Sequence, residues 1–546
     1  MYKSVHLGDQ NENPGSKRKF RLIGFLPKRA QADSSKQNPG AGGRSPDWFT
    51  LGVTASFFGI DLFNILHHEM WRDELQSWMI ARWSSSIFDL VRNMRYEGHP
   101  PLWYLLLYAI TRFTKWVPAM QLLNLVIATG TAYLVARYSP FTKFQKVLLC
   151  FGYFPLYEYG TISRSYGIGL FLLFWFCAWY RPDRKQNWLI AALLLSLLAN
   201  TSVYGTMIAM AFAVSLFALP AIAAEDTRGF LALRATHVRA AALIFCGCIA
   251  IAVAQMHPPP DTGIRLPWHL PATARSLEET LTGVWRAFLP IPSSLSHFWN
   301  SNFFLENTTL KRRWPMLGSA IILLIALLLL ARKRFALLAY VSATAATLAF
   351  MQVKYLGGLR HAGHLFLVFV ACLWISARFP EESLVFHPFE RPARLLTGQR
   401  QRILSCLLCV HFAVAATASW VDWARPFSQG KAVAAFLRSS GMAGMFMVGD
   451  PDAAVATVAG YLDRGIYYPR SQSIGSFIVW NRKRLQPPRS LIEAATDMAT
   501  LRKEEVLIIS NGPLETGASS AHEVAQFTGG IEQDEDFYLY LVRPDH

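Results

Sequence analysis

Trp71-Arg72-Asp73-Glu74, followed by Gly98-His99-Pro100-Pro101-Leu102-Trp103-Tyr104, gathers acids, an imidazole and aromatic rings directly behind the first long apolar run, residues 48–66. The runs around this stretch decide what it belongs to. Further apolar segments recur as far as residue 421, several of them long enough to cross ~30 Å of hydrocarbon at about 1.5 Å per residue. With 546 residues, 52% of them hydrophobic, and a mean hydropathy of +0.24, the chain is too apolar for a soluble globular protein. The composition points to a polytopic α-helical membrane protein.

The formal charge of +17 suggests nucleic acid at first sight. Lys and Arg, however, fall in short clusters between apolar runs rather than along one basic face, which is the positive-inside pattern and excludes a nucleic-acid binder. Residues 1–47 are polar, rich in Gly, Ser, Pro and basic residues, and lack an apolar segment near the start. They read as a disordered cytoplasmic tail rather than a cleavable signal. Spans follow near 48–66, 117–137, 144–162, 165–180, 187–201, 203–220, 238–256, 314–331, 335–352, 362–378 and 402–421. The run 101–113 is too short to cross and reads as an interfacial or re-entrant helix. In this register Arg137, Lys143, Lys146, Arg181, Arg184, Lys185, Arg228, Arg234, Arg239, Arg332-Lys333-Arg334 and the basic segment 391–402 all fall on the cytoplasmic side. Eleven spans then put the C-terminus outside, with residues 67–100 as an extracytoplasmic loop.

Residues 422–546 change character: charge rises and no span remains. The segments 445–450, 506–511 and 537–542 read as strands, and 430–440, 452–463 and 490–502 carry helical patterning. The expectation is an extracytoplasmic α/β domain behind a transmembrane domain of residues 48–421. The seven cysteines sit inside hydrophobic runs, so no disulfide framework and no zinc-type spacing is implied.

Within the loop, Trp71, Leu75, Trp78 and Met79 recur at helical spacing, which predicts an amphipathic helix lying in the membrane interface. Ser86 with Asp89 resembles a helix cap, and Ile87, Leu90, Val91 and Met94 give a second apolar face that ends at Gly98-His99-Pro100. Two such helices bring Asp73-Glu74 and Glu97-His99 together. Neighbours on a helix project about 100° apart, so Asp73 and Glu74 are expected to do different jobs. Carboxylates and an imidazole at a bilayer boundary suit a reaction in which a hydroxyl loses its proton and attacks a lipid-linked donor. Arg164, Lys354, Arg360, His361 and His364 are expected at the same boundary, Arg164 and Arg360 foremost. Asp61 and Asn64, costly in lipid, are expected to face protein or water. His257-Pro258-Pro259-Pro260-Asp261 reads as a stiff connector or one wall of an acceptor groove. No P-loop or dinucleotide fingerprint is present, so no nucleotide cofactor is expected.

Asp73-Glu74 after the first span, followed by His99-Pro100-Pro101-Leu102, resembles the first extracytoplasmic loop of the integral-membrane C-type glycosyltransferases, including protein O-mannosyltransferases and lipid A aminoarabinose transferases. Ser163-Arg164-Ser165-Tyr166-Gly167 resembles their Arg-x-Tyr element before a later span. Leu359-Arg360-His361-Ala362-Gly363-His364-Leu365 sits where the family often has Arg-Tyr, with His361 in place of the Tyr. The resemblance covers roughly residues 48–380. It implies inverting transfer of a sugar from a polyprenyl-phosphate donor, with Asp73 as base and Glu74, Glu97 and His99 as its catalytic neighbours. It further implies Arg164, Tyr166, Arg360, His361 and His364 around the donor phosphate and, in metal-using members, a divalent cation held by Asp73 and Glu97. The acceptor, whether glycan, lipid or protein, stays open. Two other classes share these features: a carrier or flippase of lipid-linked sugars, and a glycan polymerase or ligase with a pyrophosphate-linked donor. A carrier places polar groups near the midplane and shows related halves, whereas this chain concentrates ionisable groups at one boundary and shows no half-repeat.

Overall fold

The computed structural model describes residues 47–182, 187–223, 236–264, 273–306, 313–384, 387–486, 490–515 and 521–544. The expected tail, except Asp47, and the cytoplasmic cations Arg184, Lys185, Arg228 and Arg234 lie outside these residues. Asp47 belongs to the first helix, capping it by accepting the Thr50 N–H at 3.2 Å.

The helices run α1 (Trp48–His67), α2 (Arg72–Trp83), α3 (Ile87–Asn93), α4 (Leu102–Thr111), α5 (Ala119–Tyr138), α6 (Lys143–Cys150), α7 (Ser165–Trp179), α8 (Trp188–Ala199), α9 (Val203–Ala223), α10 (Thr236–Met256), α11 (Ala274–Phe288), α12 (Arg313–Leu330), α13 (Arg334–Val353), α14 (Leu359–Ser376) and α15 (Glu390–Ala424). Seven helices in the described residues are long and apolar enough to cross a bilayer: α1, α5, α10, α12, α13, α14 and α15. Those seven are the supported count, against the eleven runs expected. The runs expected over 165–180, 187–201 and 203–220 form shorter described apolar helices. The run over 144–162 is broken: α6 stops at Cys150, and a wholly buried π-helix takes up Tyr153–Thr161. Pro155 inside the run removes an amide donor, which an α-helical ladder needs and a widened turn tolerates.

Helix α14 is the hub, every residue from His361 to Ser376 being buried. It begins at Leu359, three residues ahead of the expected span, so Arg360, His361 and His364 stand in its first turns. α10 and α12, by contrast, turn Leu243, Ile251, Leu317 and Leu324 outward, the pattern of lipid-facing helices. Polar residues of the first span point inward as expected. Asp61 and Asn64 are buried, Thr161 Oγ1 donates to Asp61 at 3.0 Å, and Asn64 donates to Thr161 and Ser419 at 3.1 Å each.

The C-terminal part is a six-stranded mixed sheet with α16 (Gly430–Ser439), α17 (Asp452–Leu462) and α18 (Leu491–Arg502). Strands β1 (Phe446–Asp450), β2 (Ile466–Tyr468), β3 (Ser473–Gly475), β4 (Val506–Ser510), β5 (Ala521–Phe527) and β6 (Phe537–Val542) pair in the order β3-β2-β1-β4-β6-β5. β1 pairs in parallel with β2 and β4, with Val448 opposite Ile508, and β6 runs antiparallel to β4 and β5. Helices cover both faces of the centre, which is why β4 is buried at every position and reads as a continuous apolar run.

Helix α2 is not the open, one-sided amphipathic helix its spacing predicts: Glu74 to Ala81 are all buried against protein. α4 packs along one side and α17 along another, and Gly460 lets α17 approach so closely that a Cβ there would stand 3.1 Å from Leu75 Cβ. The amphipathic spacing was real, but its polar face is covered by protein. Overpacking a close helix contact costs about 1–3 kcal/mol. Gly460→Val should therefore lower the melting temperature and raise hydrogen exchange in 72–83 while sparing 165–179; unchanged exchange in α2 would contradict this docking.

Candidate functional site

Asp73 occupies the first turn of α2, where a carboxylate suits the positive end of the helix. Its Oδ2 accepts from Arg164, and from Arg360 Nη2 at 3.0 Å. Arg164 stands just ahead of α7 in extended conformation, its carbonyl receiving the Gly167 N–H at 3.2 Å. Gly167 makes that turn possible: a Cβ there would lie 2.6 Å from Tyr159 O and 2.7 Å from Asn124 Oδ1. Arg360 comes from the first turn of α14 and lies over the rings of Trp71 and Trp299 at 5.3 and 5.6 Å. Burial alone raises the Asp73 pKa, but Arg164, Arg360 and Arg72 outweigh it and hold the carboxyl at about 2.

These groups line a cavity of about 880 Å³ together with Glu97, His99, Tyr166, His361 and Lys354. Glu97 accepts from Gln76 at 2.8 Å and from the Tyr104 hydroxyl at 3.2 Å. Burial nevertheless pushes its carboxyl up to about 7. His99 follows Gly98, whose φ of 64° is the left-handed conformation that ends the preceding helical turn. Burial and then the nearby Arg164 and Arg360, only partly opposed by Asp73, drive the His99 imidazole down to about 3, so it is neutral. Its Nδ1 has no partner among the described residues.

Tyr166 Oη meets His361 Nε2 at 2.9 Å, and His361 Nδ1 accepts the Gly358 N–H at 2.8 Å. With Nδ1 an acceptor, the neutral ring carries its proton on Nε2 and donates to Tyr166. His364 stands behind this pair rather than on the cavity wall, its ring stacked 4.8 Å from Tyr204 and its Nδ1 3.3 Å from the Tyr159 hydroxyl.

Glu74 points away from the cavity, as the helical offset from Asp73 requires. It is fully buried, takes the Ser163 N–H at 2.7 Å and the Trp71 N–H at 3.3 Å, and meets His68 Nε2 at 3.0 Å. The other nitrogen of His68 meets Asp422 at 2.8 Å, and Tyr157 donates to the same Asp422 oxygen at 3.1 Å. Glu74 thus ties the turn that presents Arg164 to the helix that presents Asp73. Burial works against the His68 imidazolium, but Asp422 and Glu74 on either side win and raise its pKa well above the ordinary value.

Asp73 and Glu97 do not make a divalent-cation cage in this arrangement. Asp73 already faces two guanidiniums, which repel a metal ion, and the described residues contain no group of three or more His, Cys, Asp or Glu side chains placed to hold one.

Sequence reading missed Gln76 and the 478–482 segment. The Gln76 amide pairs with the Ile478 backbone in both directions, each bond 2.8 Å, while also holding Glu97. Trp480 and Arg482 then line the cavity. The 257–261 connector contributes as well: Pro258 lines the cavity and Asp261 accepts from Tyr96 at 2.6 Å. A lone Gln and a Trp some 400 positions apart along the chain offer no local periodicity to connect them. The chain matches no protein-family model and no curated protein sequence.

His68 sets a pH test. Its folded pKa lies above the unfolded value near 6.5, so its stabilisation is complete below about pH 6.5 and is lost as pH rises through the folded value. Glu535, raised to about 8, adds a decline in the same direction. The thermal stability of the parent should fall from pH 7 to 9, and His68→Gln should be less stable at pH 7 with a flatter slope. An unchanged slope in the variant would remove His68 from the charged cluster.

Proposed function

We propose that the protein is a glycosyltransferase of the bacterial inner membrane that moves a sugar from a polyprenyl-phosphate donor to an acceptor hydroxyl on the extracytoplasmic face. The observation that supports this best is the meeting of one carboxylate and two guanidiniums, Asp73 with Arg164 and Arg360, on the wall of one cavity. A departing lipid phosphate carries negative charge that two guanidiniums can receive. In this reading the shorter apolar helices α7, α8 and α9 and the broken run 143–161 complete eleven crossings with the seven long helices. The N-terminus is then cytoplasmic, and the sheet lies on the extracytoplasmic side with the site.

The acceptor oxygen attacks the anomeric carbon from the face opposite the phosphate. The carbon–oxygen bond to the phosphate breaks with its electron pair passing to the phosphate, and the configuration inverts. The acceptor proton goes to Asp73. Arg164 and Arg360 receive the phosphate charge, with Tyr166, fixed by neutral His361, beside them. While both guanidiniums stay on Asp73 its carboxyl is held at about 2, too acidic to take a hydroxyl proton well. A donor phosphate competes for the same two cations. Its arrival restores basicity to Asp73, so the base is armed only when the donor is in place. Glu97, at about 7, supports a second reading in which it takes the proton instead. No step is routed through a metal.

Purified protein supplied with polyprenyl-phosphate sugars and candidate acceptors tests this. A general base contributes about 10²–10⁴-fold, so Asp73→Asn should lose at least two orders of magnitude in kcat, and Arg164→Ala or Arg360→Ala should raise KM for the donor. A folded Asp73→Asn protein that transfers at the parent rate removes Asp73 as base. The pH profile separates the two carboxylates. With Asp73 as base, kcat/KM holds down to about pH 5; with Glu97 as base it falls below about pH 7, and Glu97→Gln loses at least two orders of magnitude in activity.

A further inference from the structure

The cavity has a wall that none of the roles above use. It comes from the sheet part: residues 478–482, between β3 and α18, cross the cavity and are stitched down on two sides. Gln76 of α2 holds the Ile478 backbone by the paired amide bonds described above. On the other side the Gly263 N–H donates to Trp480 O at 2.8 Å, Arg482 N–H donates to Asp261 O at 2.9 Å, and Thr262 bridges Asn481. The backbone around Trp480 is therefore held as one short strand is held by its neighbours.

Trp480 itself is only half-buried and lines the cavity. One face of its ring is covered by the Arg484 guanidinium, 4.4 Å from the ring centroid. Arg484 is in turn fixed by a two-pronged bridge to Asp452 at 2.7 and 3.1 Å. A tryptophan kept for packing is buried on both faces. This one is braced over one face by an anchored cation and lines the cavity. Arg482, exposed two residues on, lines the same cavity, its Nη2 donating to Pro260 O at 3.0 Å.

We infer that Trp480 is a platform for a pyranose ring, and that the acceptor is therefore a carbohydrate. The C–H face of a pyranose carries slight positive charge and is flat enough to lie on the negative face of an indole, while the hydroxyls at its rim remain free for hydrogen bonds. A rigidly held aromatic ring gives this contact with little loss of side-chain freedom. Arg482 stands where it can donate to those hydroxyls or to a carboxylate on the sugar. This inference rests on the transferase reading. It adds that the sheet part selects the acceptor, and that the acceptor is a glycan rather than a bare protein hydroxyl or a lipid.

The test uses the full chain in detergent with two probes: unlabelled polyprenyl phosphate, and a panel of fluorescent pyranose oligosaccharides, neutral and uronic-acid-bearing. A serine- and threonine-rich peptide serves as the competing class. The parent should bind polyprenyl phosphate and at least one oligosaccharide. Trp480→Ala should weaken oligosaccharide binding at least tenfold while shifting polyprenyl-phosphate binding less than threefold, and Trp480→Phe should restore most of the loss. Arg484→Ala, which removes only the brace, should fall between them. The inference is overturned if Trp480→Ala binds the oligosaccharides within twofold of the parent, if the parent binds none of them, or if the peptide binds in their place. A parent that binds oligosaccharide but no polyprenyl phosphate overturns the transferase reading instead, and the two failures are told apart by the probe that is lost.

Discussion

One carboxylate shared between two guanidiniums governs the rest of this molecule. Arg164, Arg360 and Asp73 come from three separate elements, the turn before α7, the first turn of α14 and the first turn of α2. An isolated charge is too costly to hold in a mostly apolar body, so each of the three depends on the others. The cluster carries two positive charges against one negative charge. It is a structural clamp that is still short of an anion, which is what the proposed reading asks of a site for a phosphate.

Around that clamp the buried polar groups work as braces. Glu74 takes the amide just ahead of Arg164 and meets His68, which reaches Asp422 near the end of α15. The first and last long helices are thereby tied to the turn that carries the cation. The π-helix at Tyr153–Thr161 lets Thr161 reach Asp61 and Asn64 from a segment that a regular span would have carried past them. From the other side the sheet part grips α2: Arg72 N–H donates to Glu535 at 2.9 Å, and Tyr461 donates to Met70 O at 3.1 Å. Asp73 lies between those two contacts and Gln76. The sheet part therefore holds α2 on both sides of the residue that lines the cavity.

Much of this was legible from the chain alone, because period and charge report local structure well. The strands at 446–450, 506–510 and 537–542, and the helices that alternate with them, lie within a residue or two of the apolar alternation that marks them. β2, β3 and β5 escaped because they are short or edge strands whose mixed polarity carries little periodic signal. The helical spacing of Trp71, Leu75, Trp78 and Met79 marked α2 correctly as a helix but could not say what covers its other faces, which a distant helix, α17, decides. Asp73, Arg164 and Arg360 stood out as ionisable residues beside apolar runs, yet their meeting at one oxygen is a tertiary fact. Gln76 and Trp480 carried no mark, since a neutral amide and a single aromatic ring are commonplace in any sequence and gain meaning only from each other's position.

The central claim is that a lipid phosphate takes the place of Asp73 between Arg164 and Arg360. A cryo-electron microscopy structure of the full chain with polyprenyl phosphate bound measures this directly. The claim predicts the phosphate within hydrogen-bond distance of both guanidiniums and the Asp73 carboxylate released from at least one of them. A phosphate bound elsewhere, with both arginines still on Asp73, would contradict it.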